Sequence, residues 1–201
     1  MRISTSFIAL FLGLSLTLGC ATTRMLESWK ASDLKASDLQ FEHVVAIAMV
    51  TKETQQRIVE DALVASMSRS NVTPAYSLVS QEDRGDLERM QAALEEHGMD
   101  GAVSVRLIRV DERETYVPGT TSYYAGGYYG HYRRVGVPVY DPGYYRNDTY
   151  VKVEISLYNV AQGKLLWSGV SETLNPSQVD GLIRGIVEAA GKRLESDGLI
   201  P

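Results

Sequence analysis

The chain has 201 residues, with 20 Lys and Arg against 25 Asp and Glu and a formal net charge of −5. That acidic balance argues against a nucleic-acid binder, which needs a basic face, and against a polybasic membrane patch. One cysteine in the whole chain excludes an intramolecular disulfide, so the fold must rest on an apolar core.

Met1 and Arg2 precede an apolar run, FIALFLGLSLTLG, from Phe7 to Gly19, and Cys20 follows directly. A membrane span needs about 20 apolar residues. This shorter run reads instead as the h-region of a secretory signal, with Arg2 as its positive start. The segment LTLGC resembles a bacterial lipobox, with Thr17 where Leu is usual and Leu16 one place earlier. The resemblance implies lipid attachment (palmitate and further acyl chains) at Cys20, which becomes the mature N-terminus. Several chains on one residue anchor stably where a single chain does not. Ala21, not Asp, after the cysteine implies delivery to the outer membrane of a Gram-negative cell. Removing residues 1–19 takes away one charge, Arg2, and leaves 182 residues with a net charge of −6. That length favours one domain with a real core.

Residues 20–42 are mostly polar, with isolated Trp29, Leu34 and Phe41, and read as the lipidated cysteine and a tether. A single α/β domain is expected over 43–201. HVVAIAMV (43–50) is an apolar, β-branched run suited to a strand buried on both faces. Over Lys52–Arg69, Val59, Ala62, Leu63, Ser66 and Met67 share a helical face and leave Glu60 and Asp61 off it. VTPAYSLVS (72–80) predicts a strand, at an edge because of Pro74. A second helix is expected over about 86–97, with Leu87, Met90 and Leu94 inward and Gly98 as its left-handed cap. AVSVRLIRV (102–110) is a third strand, and the charged DERE (111–114) after it reads as a solvated tip.

After a Tyr/Gly-rich insertion at about 116–149 the pattern clears. Val151, Val153, Ile155 and Leu157 alternate with Lys152, Glu154, Ser156 and Tyr158, a strand with one wet face. NVAQG turns the chain and KLLWSGV (164–170) returns as its hairpin partner. Asn175 is the expected cap of a last helix, with Pro176 at its first position. Val179, Leu182, Ile183, Ile186, Ala190 and Leu194 are its core face. The order β-α-β-α-β-insertion-β-β-α predicts an α/β (α+β) fold, a mixed sheet with helices packed on it.

Taken together, ESWK, VVAIAMV, RIVEDALVASM, GMDGAVSVRLI, the insertion after YVPG and LYNVAQGKLLWSG resemble a family of small bacterial envelope lipoproteins of unknown function. The element order is also similar to the periplasmic domains of curli secretion-channel subunits and of lipoproteins that activate penicillin-binding proteins. These likenesses imply a fold and an address in the cell envelope, and no activity.

No catalytic constellation stands out. The three histidines, His43, His97 and His131, are far apart in the chain, and His97 has a plain reading as a cation at a helix C-terminus. There is no G-x-S-x-G elbow and no zinc spacing. We therefore expect no enzyme, no cofactor and no metal. GLIRG (181–185) matches G-x-x-x-G, but its charged neighbours exclude a membrane helix, and its glycines are expected to let the helix approach the sheet.

The insertion is the least ordinary stretch. Ten of the twelve tyrosines lie between Tyr116 and Tyr150. One reading is a long, partly disordered connection, which costs little free energy. The functional reading is a contact surface, because Tyr offers large amphipathic area at low entropy cost and Gly lets it adapt. Its candidate partner-binding residues are Tyr123, Tyr124, Tyr128, Tyr129, Tyr132, Arg133 and Arg134. The expected function is a non-enzymatic, periplasm-facing binding or assembly module of the outer membrane, with an envelope protein or glycan as partner. The alternative is a peptidoglycan-binding module that stacks sugars on the tyrosines. Gly126, Gly127, Pro138 and Pro142 interrupt the alternation that a membrane-crossing hairpin needs.

Overall fold

Alternating apolar residues assemble the sheet, and helical stripes cover it. The computed structural model describes residues 22–67, 70–124 and 137–200. In chain order the elements are β1 (Thr22–Lys30), β2 (Val44–Met49), α1 (Glu53–Ser66), β3 (Val72–Pro74), α2 (Leu87–Glu96), β4 (Gly101–Val117), β5 (Thr120–Tyr124), β6 (Val137–Asp141), β7 (Tyr144–Asn159), β8 (Lys164–Leu174) and α3 (Val179–Ser196). Six strands form a mixed sheet in the order β1-β8-β7-β4-β2-β3, and β5 pairs with β6 in a separate ladder. The β4–β2 and β2–β3 pairs are parallel and the others antiparallel. This is the mixed α/β architecture that the sequence predicts. Among the described residues no helix is long and apolar enough to cross a membrane.

β2 explains why its sequence is apolar throughout. Val44, Ala46 and Ala48 join Leu63 of α1, Trp167 of β8 and Ile183, Ile186 and Ala190 of α3 in the main core. Val45, between them, faces the opposite side and packs with Leu94, Met99, Ala102 and Val160 beneath α2. α1 and α3 thus share one face of the sheet, and α2 covers part of the other. Leu63, Trp167 and Ile186 are fully buried, and such side chains supply roughly 1.5–3 kcal/mol each through burial.

Several local expectations are corrected. Residues 22–30 are not tether but an edge strand, paired with β8 from Thr22↔Leu174 to Lys30↔Trp167. Only Thr23, Met25 and Ser28 of β1 are half-buried, so its pattern is too polar to read as a strand. The predicted strand at 72–80 stops at Pro74, the last residue of its ladder with β2, and a 3-10 turn follows. Pro74 has no N–H for a ladder, and β3 is an edge as expected. Leu87 points outward at the start of α2, where Asp86 caps the helix by accepting from the N–H groups of Glu88 and Arg89.

Asn175 does not cap α3, which begins at Val179. It adopts a left-handed backbone (φ 48°) and fastens β7 instead. Of the two glycines in GLIRG, only Gly185 makes room, since a Cβ there would strike Thr23 of β1, whereas one at Gly181 would meet nothing.

The largest departure is Glu60. Expected off the core face, it is fully buried. Its Oε1 accepts from the Ala48 N–H at 3.2 Å and from Arg84 Nη1 at 2.8 Å. Its Oε2 accepts from the Tyr76 N–H at 2.8 Å and from Arg84 Nη2 at 3.1 Å. Two backbone donors and a bidentate guanidinium make the buried charge tolerable. The carboxylate thereby pins β2, α1 and the 75–85 segment together.

Candidate functional site

The insertion grows out of two strands that the core has already fixed. β4 and β7 pair without a break in contact from Gly101↔Asn159 to Val117↔Tyr144, with one bulge between Leu107 and Arg109. β8 stops at Leu174, opposite Tyr150. Beyond that row β4 and β7 run on alone as a two-stranded arm. DERE is therefore the root of this arm and not a loop tip. β5 and β6 continue beyond it, from Thr120↔Asp141 to Tyr124↔Val137.

Two facing Pro-Gly pairs, Pro118–Gly119 and Pro142–Gly143, separate the two ladders. Prolines cannot donate to a ladder, and here the glycines let the chains pass closely. A Cβ on Gly119 would sit 2.6 Å from the Asp141 carbonyl oxygen. One on Gly143 would strike the Tyr116 hydroxyl.

The arm is wet on both faces. Tyr116 and Tyr145 oppose one another in register, their ring centroids 5.1 Å apart and tilted by 50°. Tyr140, Tyr144, Tyr145 and Tyr116 are 56–69% exposed, and Val110 and Val139 are half exposed. On the other face of the root, the Arg113 guanidinium lies 4.5 Å above the Tyr150 ring.

A small polar clasp holds the root to the body. Asn175 Oδ1 accepts from the Thr149 N–H at 2.7 Å, and its Nδ2 donates to Asp148 Oδ1 at 2.9 Å. Arg146 donates to Asp148 Oδ2 at 3.0 Å. The Asn175 amide first, and then Arg146, hold the Asp148 carboxyl below its ordinary value of 3.8 against the opposing effect of burial. On β1, Arg24 donates to Glu172 at 2.7 Å and lowers that carboxyl below 4.5.

Of the residues expected to carry binding, Tyr123 and Tyr124 close β5, opposite Pro138 and Val137. Tyr128, Tyr129, Tyr132, Arg133, Arg134 and Cys20 lie outside the described residues. The aromatic surface that can be described belongs to Tyr116, Tyr140, Tyr144 and Tyr145. Its signal in the sequence is the mirrored VPGT and DPGY around the insertion.

Outside the arm, an apolar groove of about 520 Å³ runs between α2 and the sheet, lined by Ile47, Met49, Leu87, Met90 and Tyr158. Arg84 also lines it, already engaged by Glu60. His97 Nδ1 lies 2.8 Å from the Ala93 carbonyl oxygen at the end of α2, and His43 is the residue before β2. Among the described residues, no three His, Cys, Asp or Glu side chains gather in a way that could hold a metal.

No family model matches the chain, and no curated protein matches it by sequence. Its fold has distant likenesses among solved structures. A point variant of the PelC dodecamer from Paraburkholderia phytofirmans is 12% identical with a TM-score of 0.44, over 84% of this chain and 94% of that one. Lipoprotein GNA1162 from Neisseria meningitidis is 18% identical with a TM-score of 0.38, over 77% of this chain and 98% of that one. A PDZ domain protein from Parabacteroides distasonis is 9% identical with a TM-score of 0.30, over 85% of this chain and 36% of that one.

Proposed function

We propose that this chain is a lipid-anchored protein of the bacterial outer membrane, facing the periplasm, that works by binding and not by catalysis. Its signal-like start and the lipobox-like LTLGC support the anchor at Cys20. The arm supports the contact role, and its exposure is the observation that carries the reading. A pair of strands that leaves a well-packed sheet and exposes tyrosines on a wet ribbon adds no core to the fold. An isolated two-stranded ribbon is marginally stable in water, so an arm of this kind is best explained by something that it meets. Tyrosine is the side chain that adaptable contact surfaces favour.

The test has two parts. Cys20→Ala should move the protein from the membrane fraction to the soluble one, and unmodified Cys20 in a full-length precursor from the native host would contradict the anchor. Changing Tyr123, Tyr124, Tyr128 and Tyr129 together to Ser removes aromatic area while keeping the segment polar. Envelope crosslinks, sorted by mass spectrometry into protein, glycan and lipid adducts, should fall sharply. An unchanged pattern in every class would reduce the insertion to a connection.

A further inference from the structure

The sheet register fixes where β1 begins relative to the arm. β1 is antiparallel to β8, and β8 is antiparallel to β7, so β1 and β7 run in the same direction. Thr22, the first residue of β1, shares a row with Leu174, Tyr150 and Asp111. Thr22 therefore opens β1 on the side where β7 continues backward through Thr149 and Asp148, which is the root of the arm. Cys20 is two residues from Thr22, a reach of at most about 7 Å. What the sequence suggests is a tether is instead a strand that Arg24–Glu172 and Thr23–Thr173 fasten to β8.

The arm leaves from this same row and in this same direction. From Asp111 to Tyr124 it advances thirteen residues, up to about 40 Å at the rise of a strand. Its root carries Glu112, Arg113, Glu114 and Arg146, which belong in water or among lipid headgroups. Farther out come Tyr116, Tyr140, Tyr144, Tyr145 and Val139, all exposed. Tyrosine is the residue that gathers at a membrane–water boundary, ring toward the acyl chains and hydroxyl toward the headgroups.

Resting on the reading of Cys20 as the anchor, we propose that the arm docks on the lipid bilayer that the anchor holds, its tyrosines at the headgroup level. An acylated residue no more than about 7 Å of chain from the first strand leaves the domain little freedom to stand away from the bilayer. The arm's contact with the lipid is then effectively intramolecular, so that even weak individual contacts persist. The partner is thus a lipid surface in the first place, and the domain has a fixed face toward it. Because the arm reaches farther than the about 7 Å between Cys20 and Thr22, the strands lie aslant on the bilayer, arm end down, and the β7–β8 turn at their opposite end is raised from it.

Lipidation consumes the only native cysteine, which allows a clean test with the full chain. The acylated protein, carrying Tyr140→Cys labelled with an environment-sensitive fluorophore, is reconstituted in phosphatidylethanolamine–phosphatidylglycerol vesicles. Gln162→Cys in the β7–β8 turn is the control. We expect a blue shift at 140 and loss of emission when brominated lipid is included, with neither change at 162. Equal water-like emission at both positions in a protein that mass spectrometry shows to be acylated would overturn the membrane docking, and the arm would then be a protein or glycan contact. A protein without acyl chains would overturn the anchor and this inference together. Unchanged envelope crosslinks after the fourfold Tyr→Ser change would instead sink the contact role itself.

Discussion

β4 is one continuous strand with two different halves. From Gly101 to Val105 every residue is buried, and from Arg106 to Val117 nearly every residue is exposed. The inner half has sheet neighbours on both edges, β7 and β2, and cover on both faces. Past Arg106 the outer half has β7 alone. Regular hydrogen bonding continues through both, so backbone pairing by itself does not distinguish structure that holds the fold from structure that the fold holds out. Burial does, and it assigns the stability of the domain to the body and leaves the arm available for contact.

Perturbing the body should produce the largest effects. Trp167→Ala removes a fully buried indole between the sheet and α3 and should cost about 3–5 kcal/mol, read by denaturant unfolding. Glu60→Ala should cost a comparable amount, about 3–5 kcal/mol, because Arg84 is left nearly buried without its partner. Loss of less than about 1 kcal/mol for either would mean that the body relaxes far more readily than a close-packed interior should.

The junction between the two regions should respond less. Asn175→Ala puts a Cβ-bearing residue without a polar side chain into a left-handed backbone and removes the bonds to Thr149 and Asp148. A loss of about 1–2 kcal/mol is expected, with faster amide exchange at 147–150. Acid should act on this clasp and on the Arg24–Glu172 pair that fastens β1 to β8. Glu172 and Asp148 are held below 4.5 and 3.8 respectively in the folded protein, so their contribution is complete above those values. It is lost as the pH falls through the lower, folded values. Urea midpoints measured from pH 6 downward should decline less steeply for Glu172→Gln and Asp148→Asn than for the unaltered protein.

The arm itself should give the smallest change. Tyr140→Ser and Tyr144→Ser should each shift stability by no more than about 0.5 kcal/mol, because both side chains are more than half exposed.

The sequence made the body legible for the same reason that the body is stable. An apolar residue repeated at period 2 or 3.6 records a face turned inward, and β2, β7 and α3 carry that record plainly. The polar strand β1 and the end of β4 from Asp111 onward have little or no inward face, so periodicity could not reveal them. Glu60 was hidden because a buried charge depends on partners, Arg84 and the Ala48 and Tyr76 amides, that are remote in sequence or supplied by the backbone. The candidate site was visible only as composition. Its tyrosines and paired Pro-Gly steps marked an unusual surface, but the register that aligns the arm with the start of β1 exists only in three dimensions.

The most direct test of this division is to remove the arm and ask separately about folding and contact. Thr115 and Arg146 face one another, so residues 116–145 can be replaced by a two-residue Asn-Gly turn that closes β4 onto β7. The measurement is the melting transition of this variant together with its protein, glycan and lipid crosslinks in the native envelope. We predict a cooperative transition near that of the full chain and loss of the crosslinks. A variant that fails to fold, or one that folds and keeps every crosslink, would contradict the assignment of stability to the body and contact to the arm.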